Sequence, residues 1–317
     1  MKNVRNNGTG PDGKRAATDG EGQGEGVIVA HLGVAVEVLF AGGGRRQVRI
    51  KRRSGHVVGD RVTVAGEVLT RLPRKTELRR RAAAGIHLVG ANLDVLGVVV
   101  APLPAPPAGL IDRAFVAARA AGLQPFLVVN KCDLEGADGM VAELRAVYGR
   151  SAPLFPVCAA TGRGFELLEE FLARGHRGAF VGITGVGKSS LLNALCPEID
   201  LRVGALNDFN DRGRHTTTVA TLHTLADGGE LIDTPGFQDF GLVDITARQL
   251  ALHFPGFEET GAADCRFRDC RHRTEPGCAV AGMVTKGAIT AERYETYLDI
   301  LTEVEASEEE NRRRGWK

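Results

Sequence analysis

The chain has 317 residues, 43% of them hydrophobic and 5% aromatic, with a net charge of +1, enough apolar material for two or three packed domains. Its longest uncharged run, Val95 to Ile111, is too short for a membrane span and is broken by Pro102, Pro104, Pro106 and Pro107, which argues against a transmembrane helix. The near-neutral total conceals 13 Lys or Arg against 3 Asp or Glu between Arg45 and Arg81.

Residues 1–26 are polar and Gly-rich without an apolar core segment, so they are expected to be a disordered tail and not a secretory signal, with a cytoplasmic address and no membrane contact. Residues 27–75 alternate short β-branched runs with turn signals such as AGGG, SG and GD, the pattern of a small all-β barrel. Arg45, Arg46, Arg49, Lys51, Arg52 and Arg53 lie on and beside one of its strands. With few aromatics nearby, they suit backbone-dominated contact with RNA better than base stacking, the alternative being a solvated charged face.

Residues 76–242 follow a different pattern, in which apolar strand-like runs alternate with amphipathic stretches, the signature of a parallel sheet with helices on its faces. The expected order is strand DVLGVVVA, helix LIDRAFVAARAAG, strand PFLVVN, a helix near MVAELRAVYG, strand LFPVCAA, helix FELLEEFLA and strand AFVGIT. Residues 243–317 hold a cysteine cluster and an acidic, helix-like tail.

Three motifs follow directly after strands, where helix N-termini point at bound ligands. Gly182, Ile183, Thr184, Gly185, Val186, Gly187, Lys188, Ser189 and Ser190 satisfy the phosphate-loop pattern, whose backbone N–H groups wrap phosphate oxygens. Lys188 would reach the β- and γ-phosphates and Ser189 would ligate Mg²⁺. This motif alone fits ATP as well as GTP.

Asn130, Lys131, Cys132 and Asp133 decide for GTP, because a carboxylate at a strand end accepts from the guanine N1–H and exocyclic amine, donors that adenine lacks there. Asn130 would tie this loop to the phosphate loop, while Cys158 and Ala159 at the next strand end are candidates for a backbone N–H to the guanine carbonyl. Asp233 opens DTPG, where it would hold Mg²⁺ through water and the Gly236 N–H would sense the γ-phosphate. Base motif, phosphate loop and magnesium motif thus run in a permuted order, since ordinary small GTPases place the base motif last.

Cys265, Cys270, His272 and Cys278 offer the four ligands of a closed Cys₃His structural zinc site. Arg266, Arg268, Arg271 and Arg273 alternate with them, facing either RNA or solvent. GRHTTT, Gly213 to Thr218, lies between phosphate loop and magnesium motif, where a mobile switch belongs, so Thr217 is a candidate magnesium ligand.

The barrel-like start, permuted GTPase motifs, GRHTTT and Cys-Cys-His-Cys cluster together resemble the RsgA (YjeQ) family of small ribosomal subunit biogenesis GTPases, over roughly Val27 to Tyr297. That resemblance implies a multidomain fold: an N-terminal OB-fold barrel that binds 16S rRNA, a central α/β circularly permuted P-loop GTPase domain, and a mainly helical zinc-binding C-terminal domain. It further implies a monomer with Mg²⁺ and Zn²⁺, partnered by the 30S subunit, hydrolysing GTP under ribosome stimulation during late 30S maturation. Phe237 stands where Ras-like enzymes carry a water-orienting Gln, so unaided turnover should be slow. Under the resemblance His215 becomes the candidate to orient or activate the water, beside a structural or RNA-facing role, with Gln238 the nearby alternative.

Overall fold

In the computed structural model the described residues are 23–82, 85–197, 220–233, 242–243, 245–257 and 264–315. The chain opens with five antiparallel strands, β1 (Gly24–His31), β2 (Ala35–Phe40), β3 (Arg45–Arg49), β4 (Arg61–Ala65) and β5 (Val68–Arg71), in the spatial order β5-β4-β1-β2-β3. Every second residue points inward, so that Ile28, Val36, Val38, Val48, Val62 and Val64 close a small apolar core. The first strand begins at Gly24 and not at Val27, which corrects the expectation of a disordered tail through residue 26. Glycine there serves packing: a Cβ on Gly26 would stand 2.8 Å from the Leu39 carbonyl oxygen across the strand pair.

Strands β6 (Glu77–Ala82) and β7 (Gly85–Ala91) form a separate hairpin that the sequence reading did not isolate. A buried ion pair fixes the segment that leads into it. The carboxylate of Asp60, fully buried, accepts from Arg74 Nε at 2.6 Å and Nη2 at 2.9 Å, and from the Val57 N–H at 2.9 Å.

The central sheet carries β8 (Val95–Val100), β9 (Gln124–Val129), β10 (Leu154–Pro156), β11 (Arg177–Val181) and β13 (Glu230–Asp233) in parallel, with β12 (Thr221–Thr224) antiparallel on β13. Their order is β10-β9-β8-β11-β13-β12, and β12 meets β1 through the Ala30–Thr221 pair, which joins the two sheets edge to edge. All six residues of β8 are buried, as a central strand covered on both faces requires. Helices α1 (Leu110–Ala120) and α2 (Ala137–Tyr148) cover one face, where Val98, Phe115, Leu127 and Tyr148 pack. Helices α3 (Phe165–Leu172) and α4 (Lys188–Leu195) cover the other, against Val99, Phe126, Leu168 and Leu191.

Among the described residues three helices close the chain: α5 (Ala247–His253), started by a capping box between Thr246 and Gln249, α6 (Ala279–Thr285) and the long α7 (Ala291–Gly315). Leu250, Phe254, Phe257, Tyr297, Ile300 and Leu301 form their core, which also takes in Val116 of α1. The C-terminal unit is therefore docked on the central domain, and Arg293 of α7 reaches the buried Asp112 of α1 at 3.3 Å. Among the described residues no helix is long and apolar enough to cross a membrane.

Candidate functional site

The phosphate-loop segment joins the C-terminal end of β11 to the first turn of α4, with the fully buried Val186 anchoring it to the core. Gly187 sits at φ +94°, and a Cβ there would stand 2.3 Å from the Asn130 amide nitrogen. Only glycine allows that approach without displacing the loop. The Lys188 ammonium folds back to donate to the Gly182 carbonyl at 2.6 Å and the Ile183 carbonyl at 3.0 Å. Burial holds Lys188 below the usual lysine range, opposed by the Asp233 carboxylate. Asp233, at the end of β13, is pushed above the usual carboxylate range by burial, with Lys188 pulling it back.

Asn130, 2% exposed at the end of β9, clamps two loops: its amide donates to the Val186 carbonyl at 2.8 Å and accepts from the Ala159 N–H at 3.1 Å. Lys131 adopts φ +60°, and its ammonium donates to the Leu103 carbonyl at 2.8 Å, in the proline-rich segment after β8. Asp133 is exposed; its Oδ1 accepts from the Cys158 thiol at 3.0 Å, which keeps the carboxyl below its usual range.

Between these groups lies a cavity of about 240 Å³ lined by Asn130, Lys131, Asp133, Cys158, Ala159 and Gly187, together with Leu134, Ala160 and Ser190. The base motif and the phosphate loop meet here, Asn130 contacting Val186 across 56 residues of chain. Cys132 is directed elsewhere, its thiol donating to the Val129 carbonyl at 3.2 Å. Leu134 and Ala160 are lining residues that the sequence motifs did not single out; both directly follow motif positions, which was the available signal. His215, Thr217 and Gly236 lie outside the described residues, so of the expected magnesium set only Ser189 and Asp233 fall within them.

The second cluster gathers Cys265, Cys270, His272 and Cys278, whose ligand atoms all lie within 4.8 Å of one another. His272 Nδ1 stands 3.4, 3.6 and 3.4 Å from the sulfurs of Cys265, Cys270 and Cys278. Tetrahedral coordination at about 2.3 Å to sulfur and 2.0 Å to nitrogen calls for N···S edges of about 3.5 Å, so the four groups fit one ion. Backbone N–H groups of Ala279 and Ala281 point at the Cys265 and Cys278 sulfurs, and the Glu275 carboxylate accepts from the N–H groups of Arg271, Arg273 and Thr274. Burial pushes the Cys270 thiol up to about 12, so thiolates here need a bound cation. Arg271 and Arg273 both pair with Glu305 of α7, which ties the cluster loop to that helix.

On the N-terminal sheet, Arg45 and Arg49 are exposed on β3, Arg46 is half-buried, and Lys51, Arg52 and Arg53 are exposed in the turn that follows. Arg45 pairs with Glu37 and Arg46 with Glu67, at 3.1 and 2.9 Å.

A parallel sheet carrying a phosphate-loop motif after its central strand, a guanine-type base motif two strands away and earlier in the chain, and the Asp233 carboxylate at the end of β13 has the make-up of a circularly permuted P-loop GTPase. The RsgA GTPase family profile matches residues 71–243. The small ribosomal subunit biogenesis GTPase RsgA of Pseudomonas fluorescens is 40% identical over 297 residues, covering 89% of this chain and 86% of that one. The protein of the same name from Azotobacter vinelandii is 42% identical over 291 residues, covering 87% and 84%. The crystal structure of YjeQ from Thermotoga maritima superposes with a TM-score of 0.73 at 32% identity, covering 89% of this chain and 98% of that chain. The structure of YloQ, a circularly permuted GTPase, gives 0.67 at 25% identity, covering 92% and 99%. The chain belongs to the RsgA GTPase family and is a GTP-hydrolysing enzyme.

Proposed function

We propose that this chain is a cytoplasmic, monomeric GTPase acting in maturation of the small ribosomal subunit, whose hydrolysis is stimulated by that subunit. The observation that carries the reading is the cavity between Asp133 and Gly187: a base-reading carboxylate and a phosphate loop facing one space of nucleotide-compatible chemistry. The names of the relatives from Pseudomonas fluorescens and Azotobacter vinelandii support the ribosomal assignment.

In this reading Asp133 accepts from the guanine edge, Lys131 packs its stem on the base, and the Cys158–Ala159 backbone meets the guanine carbonyl. Residues Gly182 to Ser190 enclose the phosphates. Lys188 exchanges its two carbonyl partners for β- and γ-phosphate oxygens, charged acceptors that bind an ammonium more strongly. Ser189, Thr217 and Asp233 would hold magnesium, which supplies charge neutralisation at the phosphates. The Gly236 N–H senses the γ-phosphate, and His215 orients the attacking water in place of the Gln that Phe237 replaces. The barrel, read as an OB-fold, presents Arg45, Arg46, Arg49, Lys51, Arg52 and Arg53 to the rRNA backbone, and the Cys₃His cluster holds one structural zinc ion.

A non-hydrolysable GTP analogue tests the cycle. An enzyme that leaves after hydrolysis stays bound to small subunits with the analogue and dissociates with GDP, as read by co-sedimentation. Equal retention in both states would instead favour a scaffold whose hydrolysis is incidental.

A further inference from the structure

We infer that Thr221 is a positioning residue for Asp233, through which contact on the N-terminal sheet sets the geometry at the phosphate end of the nucleotide site. The inference rests on the subunit-stimulated hydrolysis proposed above and names the residues that carry the stimulus. The cations assigned there to the rRNA backbone lie on and beside β3, and the sheet runs from that strand, in the order β3-β2-β1-β12-β13, to the strand that ends in Asp233. Within it Ala30 of β1 stands opposite Thr221 of β12, and Thr221 stands opposite Asp233 of β13. The three residues form one row across the junction of the two sheets.

The row is held in place on both sides. Beside it the His31 N–H donates to the Ala220 carbonyl at 3.2 Å, and the Thr221 hydroxyl is hydrogen-bonded to the His223 ring at 2.7 Å. At the neighbouring positions Val29, Leu222 and Ile232 are buried in one apolar cluster. Directly opposed residues of antiparallel strands keep their Cβ atoms about 4.5–5.5 Å apart, so the stiff, β-branched Thr221 fills the row between Ala30 and Asp233. No loop intervenes there to absorb a displacement of β1. The other end of β13 is tied to the same sheet: the Gly59 carbonyl, before β4, accepts from Arg177 Nη1 at 3.2 Å, and Arg177 Nε donates to Glu230 at 2.6 Å. A misplacement of about 1 Å at a reacting centre costs up to about 100-fold in rate, so a small movement of β1 suffices.

The test pairs two binding constants with two rates. Affinity for small ribosomal subunits is measured by co-sedimentation with a non-hydrolysable GTP analogue and with GDP, and kcat is measured with and without subunits. Coupling is reciprocal, so the ratio of the two affinities reports the link between the N-terminal sheet and the phosphate end, whereas a lost RNA contact lowers both affinities together. His31→Pro removes the N–H at the junction, and Thr221→Gly removes the Cβ from the row. Each should lower the analogue-to-GDP affinity ratio by about five-fold or more and the stimulated kcat by about ten-fold, while His31→Pro leaves the unstimulated kcat within about two-fold. Thr221→Val keeps the β-branched shape and should stay within about two-fold of the wild-type ratio. If one of the two disruptive variants fails to fold, the other decides. An unchanged ratio in a folded disruptive variant, or a valine variant as impaired as glycine, overturns the inference. A wild-type chain with equal affinity in both nucleotide states and no stimulation would overturn the proposed subunit-stimulated cycle itself.

Discussion

At the scale of single residues, Asn130 concentrates the logic of the site. Its amide satisfies a carbonyl of the phosphate loop and an N–H of the third loop, all within a buried junction. Asn130→Ala leaves both backbone groups without partners, each at about 1–3 kcal/mol. Nucleotide affinity should therefore fall at least about ten-fold, and the thermal midpoint by several degrees, as calorimetry and a thermal melt would register. Wild-type affinity in that variant would mean the loops hold each other by other means. Asn130, Asp133, Gly187 and Lys188 were legible in the sequence because their chemistry demands particular residue types at set spacings. Leu134 and Ala160 were not, since a lining residue that contributes surface or backbone leaves no such signature. Neither was the Lys131 contact to Leu103, which uses a backbone carbonyl that any residue could supply.

At the scale of elements, the strands and helices around the nucleotide site fall where apolar runs and amphipathic stretches placed them. The β6–β7 hairpin escaped because ELRRRA lacks the alternation of a half-buried strand, and its entry is secured by the Asp60–Arg74 pair, which only the folded chain brings together. The docking of α7 was equally hidden. Arg293 pairs with Asp112 at 3.3 Å, donates to the carbonyls of Val147 and Pro255, and lies over the Tyr148 ring at 4.6 Å. Burial, the leading influence, lifts the Asp112 carboxyl above its ordinary value, and Arg293 opposes that shift. A carboxyl whose folded value is raised stabilises the fold fully below its unfolded value and loses that contribution as pH rises through the folded value. Arg293→Ala removes the opposing cation and widens the shift. The variant should be destabilised by about 3–5 kcal/mol at neutral pH, with a smaller deficit against wild type at acidic pH, where protonation of Asp112 removes the unpaired charge. Urea melts at the two pH values measure this, and a deficit independent of pH would contradict it.

At the scale of the whole molecule, the permuted motif order was visible in the sequence and places the magnesium motif directly before the C-terminal unit. The edge-to-edge junction of the two sheets was not, because it joins segments far apart in the chain, among the described residues through the Ala30–Thr221 pair and the His31 N–H donating to the Ala220 carbonyl. The Cys₃His cluster borders the C-terminal core: His272 sits against Phe257 and Tyr297, and Arg271 of the same loop pairs with Glu305. Metal analysis of the purified chain should give one zinc ion per molecule, lost in Cys278→Ser together with several degrees of thermal midpoint. A metal-free wild-type chain with an unchanged melt would refute the structural role.

The proposed function is nucleotide turnover that waits for a partner. Phe237 cannot orient water, so the isolated chain should turn over slowly. The decisive measurement is multiple-turnover hydrolysis of GTP, with ATP as control, in buffer alone and with purified small ribosomal subunits at one fixed ionic strength. The account predicts slow GTP hydrolysis alone, acceleration by at least about an order of magnitude with subunits, and no comparable turnover of ATP. Equal rates with and without subunits, or equal turnover of both nucleotides, would contradict it.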